Sequence, residues 1–343
     1  MKLIRFSRAD ERPSFGVVVA DRAVALAVLQ ERSGILSPPL SDSHAYLAGL
    51  PETEQAARQL LAWGEAHLDK LGADERPQLG VVRLHAPVEV VALFDFGLTP
   101  RHLKNSAETM MKYEKDNPQT APMLQAFAKA LLSKPAAPTP GVPERLSYYK
   151  CNMNSIVGDG QTIPWPLYTS RLDIEPELAA VYGNTLQPLA GFCIFNDVSA
   201  RDVQAQEFVG GFCLTKDMDK GNQLGPYLVT ADEVGNPYAL KVVVKVDGQV
   251  RYQGSTAEID HSAEDAFAWL GFISSIQPGT VVGMGTIPDC TGLDHDDFLD
   301  PGAEIEIRFE RLGSLRCRFA EPAGRLLLSR WPLRPALQKF HGQ

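Results

Sequence analysis

The chain has 343 residues, 44% of them hydrophobic and 22% charged, with a formal net charge of −9. This composition is ordinary for a folded globular protein and excludes a disordered, collagen-like or disulfide-built chain. The acidic balance and the lack of a lysine or arginine run argue against a nucleic-acid partner. No stretch approaches the roughly 20 apolar residues of a membrane span and the N-terminus lacks a signal-peptide core, so we expect a cytoplasmic protein without a membrane partner.

The N-terminal quarter of the chain predicts a small β/α domain over residues 1–85. Its first 30 residues alternate apolar and polar side chains around a turn at Ala20-Asp21-Arg22, which is typical of a small sheet. In residues 53–72, apolar residues recur at helical spacing as far as Gly72, which predicts a helix with a glycine C-cap.

Residues 86–320 predict a larger domain, followed by a C-terminal extension at 321–343. Short apolar runs are separated by Gly, Pro and Asp, and Asp247-Gly248 between two of them predicts a hairpin. The polar interruption at 103–147 combines one helical pattern with a proline-rich stretch, so it could form a lid. The whole pattern predicts a β-rich α+β fold, and the lack of a dinucleotide or Walker glycine motif argues against nucleotide chemistry.

Two glutamates lie two positions apart in the segment "LDIEPELAAVYGN". In an extended strand Glu175 and Glu177 project to one face, while Ile174 and Leu178 point to the other. Adjacent carboxylates repel, and a hard divalent cation such as Mg²⁺ or Ca²⁺ would remove that cost. The alternative is a solvated strand edge, which Pro176 permits because proline is tolerated at sheet edges.

In the segment "LAGFCIFNDVSARDVQ", a run of apolar residues is followed directly by several polar and charged residues. Asp197, Ser199 and Arg201 share one face if the strand continues. A buried carboxylate is costly unless it is paired or bound to a metal, so Asp197 needs a partner. A structural ion pair with Arg201 and a third metal ligand both satisfy this need, and the residues alone leave both open.

Several segments together resemble the fumarylacetoacetate hydrolase family. They are "LDIEPELAAVYGN", "NDVSARDVQ", "TKDMDKGNQLGPYLVT" and "GMGTIP", which agree in order and approximate spacing over roughly residues 90–320. "FDFGLTPRHLKN" resembles the stretch in which an aspartate ligand precedes the catalytic histidine by seven positions, here Asp95 and His102. The resemblance implies the family's mixed β-sandwich roll with a small N-terminal β domain, and a homodimer.

The resemblance also implies a role for each matching residue. The implied metal ligands are Asp95, Glu175, Glu177 and Asp197. The implied cation is Mg²⁺, with Ca²⁺ or Mn²⁺ as alternatives. The groups around a developing oxyanion are Arg201, Gln204 and Lys216, and the substrate pocket includes Tyr149, Gly285 and Thr286.

His102 becomes the general base by resemblance, whereas alone it would be interpreted as a solvated loop residue. Counting from Thr286 makes Asp300 the carboxylate that orients it. Other acidic candidates lie close by, namely Glu108, Asp294, Asp296 and Asp297. Met111 and Phe208 stand where the mammalian enzyme has an arginine and a tyrosine that grip the substrate carboxylate, so we expect a substrate other than fumarylacetoacetate.

The implied function is a metal-dependent hydrolase that cleaves a carbon–carbon bond in a 1,3-diketo acid or acylpyruvate, a small-molecule substrate of the kind met in aromatic catabolism. Water activated by His102 would attack a carbonyl, and the leaving carbon would depart as a metal-bound enolate. One alternative is a decarboxylase, hydratase or isomerase acting on a 2-oxo acid at the same metal site. A second is a non-catalytic binding module stabilised by the metal.

Overall fold

A computed structural model describes residues 1–8, 11–38, 40–131, 139–207, 211–328 and 330–341. Its strands are β1 (Lys2–Ser7), β2 (Ser14–Val19), β3 (Arg22–Ala25), β4 (Arg83–Leu84), β5 (Ala92–Phe96), β6 (Tyr148–Lys150), β7 (Ile156–Val157), β8 (Gln161–Ile163), β9 (Leu172–Asp173), β10 (Pro176–Tyr182), β11 (Leu189–Asp197), β12 (Ser199–Ala200), β13 (Asn222–Val229), β14 (Lys241–Val246), β15 (Gln249–Ser255), β16 (Thr280–Thr286), β17 (Glu304–Phe309) and β18 (Gly313–Phe319). Its α-helices are α1 (Leu26–Ser33), α2 (Ser43–Ala48), α3 (Glu52–Ala66), α4 (Pro100–Glu114), α5 (Ala121–Leu131), α6 (Arg201–Gln204), α7 (Cys213–Lys216), α8 (Ala231–Val234), α9 (Ala263–Ile273) and α10 (Gly292–His295). Short 3₁₀ helices occupy Leu68–Lys70, Leu79–Val81, Met153–Ser155, Pro237–Ala239, Thr256–Glu258 and Pro335–Phe340.

The largest sheet within the described residues has eleven strands. Its order is β3-β2-β1-β13-β11-β10-β16-β5-β6, with β4 paired to β1 and β7 paired to β13. The predicted N-terminal turn is confirmed, because β2 and β3 form an antiparallel hairpin in which Ala20 has a φ of 54°. The sheet also crosses the predicted domain boundary, since Lys2 lies opposite Val229; the boundaries themselves stay a prediction.

A second sheet of five strands, in the order β15-β14-β17-β18-β8, packs against the first. The hairpin predicted at Asp247-Gly248 joins β14 to β15, and both turn residues have positive φ values of 50° and 79°. A turn with two positive φ angles matches the twist of the flanking strands and favours Gly at the second position. The predicted β-rich α+β fold is confirmed.

Two apolar cores lie on opposite faces of the large sheet. In β10, Leu178 and Ala180 face the core that is shared with the second sheet, while Ala179 and Val181 face the core formed with α1, α2 and α3. The predicted N-terminal helix is α3, but it ends at Ala66 because His67 leaves the helical conformation with a φ of −133°. Among the described residues, no helix combines the length and the apolar character that membrane crossing requires.

The predicted lid segment at 103–147 begins inside α4. Pro100 opens this helix at its first turn, where the missing N–H of proline costs nothing. Helices α4 and α5 pack together through Met110 and Leu124. Residues 132–138 lie outside the described residues, and closure of the segment over a site stays a prediction.

Candidate active site

On the face of the large sheet that packs against the N-terminal helices, carboxylate side chains follow the apolar ones at the ends of two strands. In β11, Cys193 and Phe195 face the helical core, and Asp197 is next on the same alternation. Glu177 continues the Ala179 face of β10 in the same way. The solvated-edge interpretation is wrong, because β10 lies between β11 and β16 and Glu177 is only 1% exposed.

Three of the four predicted metal ligands form one tight cluster. Oxygen atoms of Asp95, Glu175 and Asp197 lie within 4.8 Å of one another, and all three residues are buried. Within the described part of the chain, Asp95 Oδ1 and Asp197 Oδ1 have no hydrogen-bond partner. Burial, reinforced by neighbouring carboxylates, raises the pKa of both aspartates. Buried carboxylate oxygens that lack a hydrogen-bond partner fit a divalent cation of the hard class, which binds oxygen ligands.

The fourth predicted ligand, Glu177, borders the cluster. It accepts hydrogen bonds from the Gly285 backbone N–H at 3.0 Å and from Thr286 Oγ1 at 3.1 Å. Burial, with repulsion from Asp95 and other carboxylates, raises its pKa well above the usual range. A Cβ at Gly283 would lie 2.6 Å from Glu177 Oε2 and 3.0 Å from Asp95 Oδ1, so only glycine lets these carboxylates approach. The sequence analysis missed this glycine.

Two buried cations lie on the other side of the cluster. Lys216 Nζ contacts the carboxylates of Glu175 and Asp197 and donates to Ser199 Oγ at 2.6 Å. Arg201 donates to Glu175 Oε1 at 2.5 Å and to Gln204 Oε1 at 3.1 Å. Burial alone would raise the pKa of Glu175, but Arg201 and Lys216 hold it well below its usual range.

The ion pair considered between Arg201 and Asp197 is not formed. The strand ends at Asp197 and α6 begins at Arg201, so the guanidinium turns towards Asp173, with Nε 3.1 Å from Oδ2. Asp173 also accepts the backbone N–H groups of Gly292 and Leu293 at 2.9 Å each. Asp173 was missed by the sequence analysis, although it precedes Glu175 by two residues and extends the same alternation.

His102 lies in the first turn of α4 and is 4% exposed, so it is not a solvated loop residue. Its Nδ1 is 3.0 Å from Asp294 Oδ1, and its Nε2 is 3.4 Å from Glu175 Oε1 and 3.2 Å from Ser106 Oγ. Because an ionised carboxylate only accepts hydrogen bonds, the Nδ1 atom carries a proton. Burial lowers the pKa of the ring, but Asp294 and Glu175 outweigh it and raise the pKa to about 9.

The prediction that Asp300 orients His102 is wrong. Asp300 is half-exposed and pairs with Arg334 at 2.6 Å. Helix α10, fixed by the bonds of its backbone to Asp173, brings Asp294 to the histidine instead. The remaining acidic candidates contact other side chains: Asp296 with Tyr113, Asp297 with Arg251, and Glu108 with Lys104.

Tyr149 on β6 completes this group of side chains. Its hydroxyl donates to the Asp197 carboxylate, and burial with nearby carboxylates raises its pKa well above the usual range. Met111 packs against an apolar cluster around Trp331, and Phe208 lies outside the described residues. Every predicted site residue except Asp300 is therefore in or beside one buried group. The roles assigned to them stay predictions.

Comparisons with known proteins give the same family. The model for the fumarylacetoacetate hydrolase C-terminal domain matches residues 121–320. Human mitochondrial oxaloacetate tautomerase is 33% identical over 182 residues, which cover 50% of this chain and 58% of that protein. The chain spans 58% to 62% of the length of the first curated relatives that it matches.

Solved structures share the fold. Fumarylacetoacetate hydrolase from Exiguobacterium antarcticum superposes with a TM-score of 0.64 at 22% identity, covering 93% of this chain and 99% of that one. Maleylpyruvate hydrolase from a Sphingobium species, in complex with manganese(II) and pyruvate, gives a TM-score of 0.62 at 18% identity, covering 94% and 100%. The match of the family model to more than half of the sequence shows that the chain belongs to the fumarylacetoacetate hydrolase family of enzymes.

Proposed function

We propose that the protein is a metal-dependent hydrolase that cleaves a carbon–carbon bond in a 1,3-diketo acid of the acylpyruvate class. The observation that carries the proposal is the His102–Asp294 pair, which directs Nε2 of a buried imidazole at Glu175, 3.4 Å away. A histidine held by a carboxylate on one nitrogen is a suitable base on the other. Hydrolysis requires such a base beside the carboxylate cluster.

The proposed cation site consists of Asp95, Glu175, Asp197 and Glu177. A divalent cation there would polarise the oxygens of a chelating dicarbonyl and stabilise negative charge as a Lewis acid. We propose Mg²⁺ or Mn²⁺, with Ca²⁺ as a further candidate. Positive charge beside Glu175 would also lower the proton affinity of His102, because like charges repel. That change would favour the unprotonated Nε2 that a base needs.

The remaining side chains act on the proton and on the developing charge. His102 Nε2 accepts a proton from the attacking water, while the Nδ1–H bond to Asp294 fixes the ring and stabilises the imidazolium. Arg201 Nη2 is buried and has no partner among the described residues, so it is available to a substrate oxygen. Lys216 supplies a second fixed cation. Fixed cations stabilise charge in a water-excluded site without having to reorganise.

A second candidate is a tautomerase of 2-oxo acids, which the 33% identity to an oxaloacetate tautomerase favours. The same His102 would move a proton between carbon and oxygen without attack by water. The two reactions differ in their products. Hydrolysis of an acylpyruvate releases pyruvate, whereas tautomerisation leaves the carbon chain intact.

The test is to incubate the Mn²⁺-loaded protein with acylpyruvates of increasing chain length and to measure pyruvate release by coupled NADH oxidation. Keto–enol conversion of oxaloacetate is followed in parallel by ultraviolet absorbance. We expect pyruvate release, lowered about 10²- to 10⁴-fold in His102→Ala, the range for loss of a positioned base. Tautomerisation without any pyruvate would support the second candidate and exclude the first.

Two carboxylate variants provide a matched pair for the same assay. Asp294→Asn removes the charge that orients His102 and is expected to lower kcat by about 10²-fold. Asp300→Asn removes a half-exposed carboxylate paired with Arg334 and is expected to leave kcat unchanged. Equal losses in the two variants would contradict the assignment of Asp294. We further propose that the protein is a homodimer, as the family resemblance implies, and that it is cytoplasmic. Light scattering at micromolar concentration would test the oligomeric state.

A further inference from the structure

The segment after residue 330 packs on the helix that carries His102, although the family match ends at residue 320. Trp331 is 2% exposed, and its ring stacks on Tyr113 of α4 at 4.3 Å between centroids with an interplanar angle of 11°. Its indole N–H donates to Glu114 Oε1 at 2.8 Å. Both contacts are at the C-terminal end of α4, while His102 is at the other end.

Glu114 makes this contact unusual, because its carboxylate is buried at 3% exposure and no lysine, arginine or histidine among the described residues lies within ion-pair distance. Asn117 and Thr120 donate to Oε2 at 2.9 and 2.6 Å. Oε1 receives the indole N–H of Trp331. A buried carboxylate held by neutral donors depends strongly on each of them. The tryptophan therefore fixes the end of the helix through a polar bond as well as through stacking.

The same segment is tied to the other half of the histidine pair. Tyr113 donates to Asp296 Oδ1 at 2.6 Å, two residues after Asp294. The Trp331 ring also packs on Phe298, with 6.0 Å between centroids. Trp331 thus contacts α4 directly and, through Tyr113, is linked to Asp296, the residue that follows α10. Helices α4 and α10 carry the two side chains of the His102–Asp294 bond.

The C-terminal segment is itself anchored near the base of the site. Arg171, which directly precedes β9, donates to the Pro332 carbonyl at 2.5 Å. Arg334 donates to the Leu299 carbonyl at 2.6 Å, and Leu337 is fully buried. These contacts anchor the segment on both sides of Trp331 to other parts of the fold, so Trp331 can fix the position of α4.

We propose that Trp331 is a positioning residue for the reaction, which holds α4 in the register that brings His102 onto Asp294 and beside Glu175. It acts through Glu114 and Tyr113 and does not touch the reacting atoms. The kinetic part of this inference rests on the proposed function. Its structural part, the geometry of the His102–Asp294 bond, does not require turnover.

The test compares Trp331→Phe, which keeps an aromatic ring and removes the N–H donor, with Trp269→Phe on α9. Trp269 is a matched control, because its indole nitrogen is buried without a partner among the described residues and its ring also stacks, on Phe272. We expect kcat of Trp331→Phe to fall about 10- to 100-fold, the scale of a small misplacement of a catalytic group. KM and Mn²⁺ affinity should stay unchanged, because the carboxylate cluster is not displaced.

Two further measurements separate positioning from stability. Glu114→Gln should add little to the loss in a Trp331→Phe background, because partners in one contact are not additive. The imidazole Nδ1 proton resonance of His102, assigned by its loss in His102→Gln, should move in Trp331→Phe and not in Trp269→Phe. This resonance is observable even if no acylpyruvate is cleaved, so failure of the proposed function and failure of the positioning role are distinguishable.

A lower melting temperature in Trp331→Phe, with kcat of the folded fraction and the His102 resonance both unchanged, would overturn the proposal. So would equal effects of the two tryptophan substitutions on kcat and on the resonance. Additive losses in the double variant would exclude the route through Glu114.

Discussion

The two glutamates of the site are two residues apart and almost equally buried, yet their surroundings are opposite in charge. Glu175 is contacted by Arg201, Lys216 and His102, and its pKa is held well below the usual range. Glu177 is bonded by the neutral donors of Gly285 and Thr286 and faces another carboxylate, and its pKa is raised well above that range.

This difference divides the site into a cationic half and an acidic half. In the cationic half, side chains of the protein already balance the carboxylate charge. In the acidic half, ionised Glu177 and Asp95 would repel each other, so keeping both carboxylates ionised in the folded protein at neutral pH is unfavourable. A bound divalent cation would remove that cost, which explains why one cluster combines buried ion pairs with orphaned carboxylate oxygens.

The largest effect should come from Glu175→Ala. The substitution leaves Arg201 and Lys216 buried without one of their partners, and breaking a buried ion pair costs about 3–5 kcal/mol. Urea denaturation in chelator should show this loss in the free energy of unfolding. A loss below about 1 kcal/mol would mean that the cations do not depend on Glu175.

Glu177→Gln should raise the free energy of unfolding in the same experiment, whereas Glu175→Ala lowers it. The raised pKa means that folding takes up a proton at Glu177, so the free energy of unfolding falls as pH rises above the usual carboxyl pKa. The glutamine variant lacks this loss and should gain up to about 1.4 kcal/mol per pH unit relative to the wild type above that pKa. Below pH 4 the two proteins should converge; destabilisation at every pH would contradict the division into two halves.

Added Mn²⁺ should stabilise the wild type by about 2.7 kcal/mol at a concentration 100-fold above Kd. Asp95→Asn should abolish most of this gain, because it removes an orphaned carboxylate from the acidic half. Asp300→Asn, at a carboxylate outside the site, should retain the gain. Calorimetric unfolding with and without chelator measures all three, and a full gain in Asp95→Asn would place the cation elsewhere.

The smallest effect should come from Gly283→Ala. Its methyl group would lie 2.6 Å from Glu177 Oε2, so the carboxylates must move, at a cost of about 1–3 kcal/mol for an overpacked position. Because the displaced carboxylates are proposed cation ligands, Mn²⁺ affinity, measured by titration calorimetry, should also fall. The control is Gly271→Ala in α9, where the added methyl group would lie 3.8 Å from Ile276 Cδ1, an ordinary contact, and alanine is the better helix former. Equal Mn²⁺ affinities in the two variants would contradict a role for Gly283.

Features with local signals could be predicted from the sequence. The Asp247-Gly248 hairpin depends on two residues with positive φ, and the spacing of Glu175 and Glu177 depends only on the strand alternation. The family resemblance then brought distant segments such as those of Asp95 and Asp197 into one site, which no local pattern could do.

The partner of His102 could not be found by counting along the chain. The segment that contains Asp294 has several aspartates close together. Asp289 and Asp296 on either side of it have positive φ values of 63° and 53°, so the chain changes direction twice. Asp173 on β9 accepts hydrogen bonds from the backbone of α10, and this contact positions Asp294 beside His102. Trp331 is a similar case, because its partner Glu114 lies in a distant part of the sequence.

The parallel pairing of β5 with β16 places Asp95 opposite Gly283, although the two strands come from distant parts of the chain. Closing so long a loop is slow and entropically costly, so we expect this contact to form late in folding. A divalent cation would then bind a site that is already assembled, unlike a metal that nucleates a small finger domain. Refolding rates should be independent of Mn²⁺, while the bound ion should slow unfolding and lengthen the lifetime of the native state.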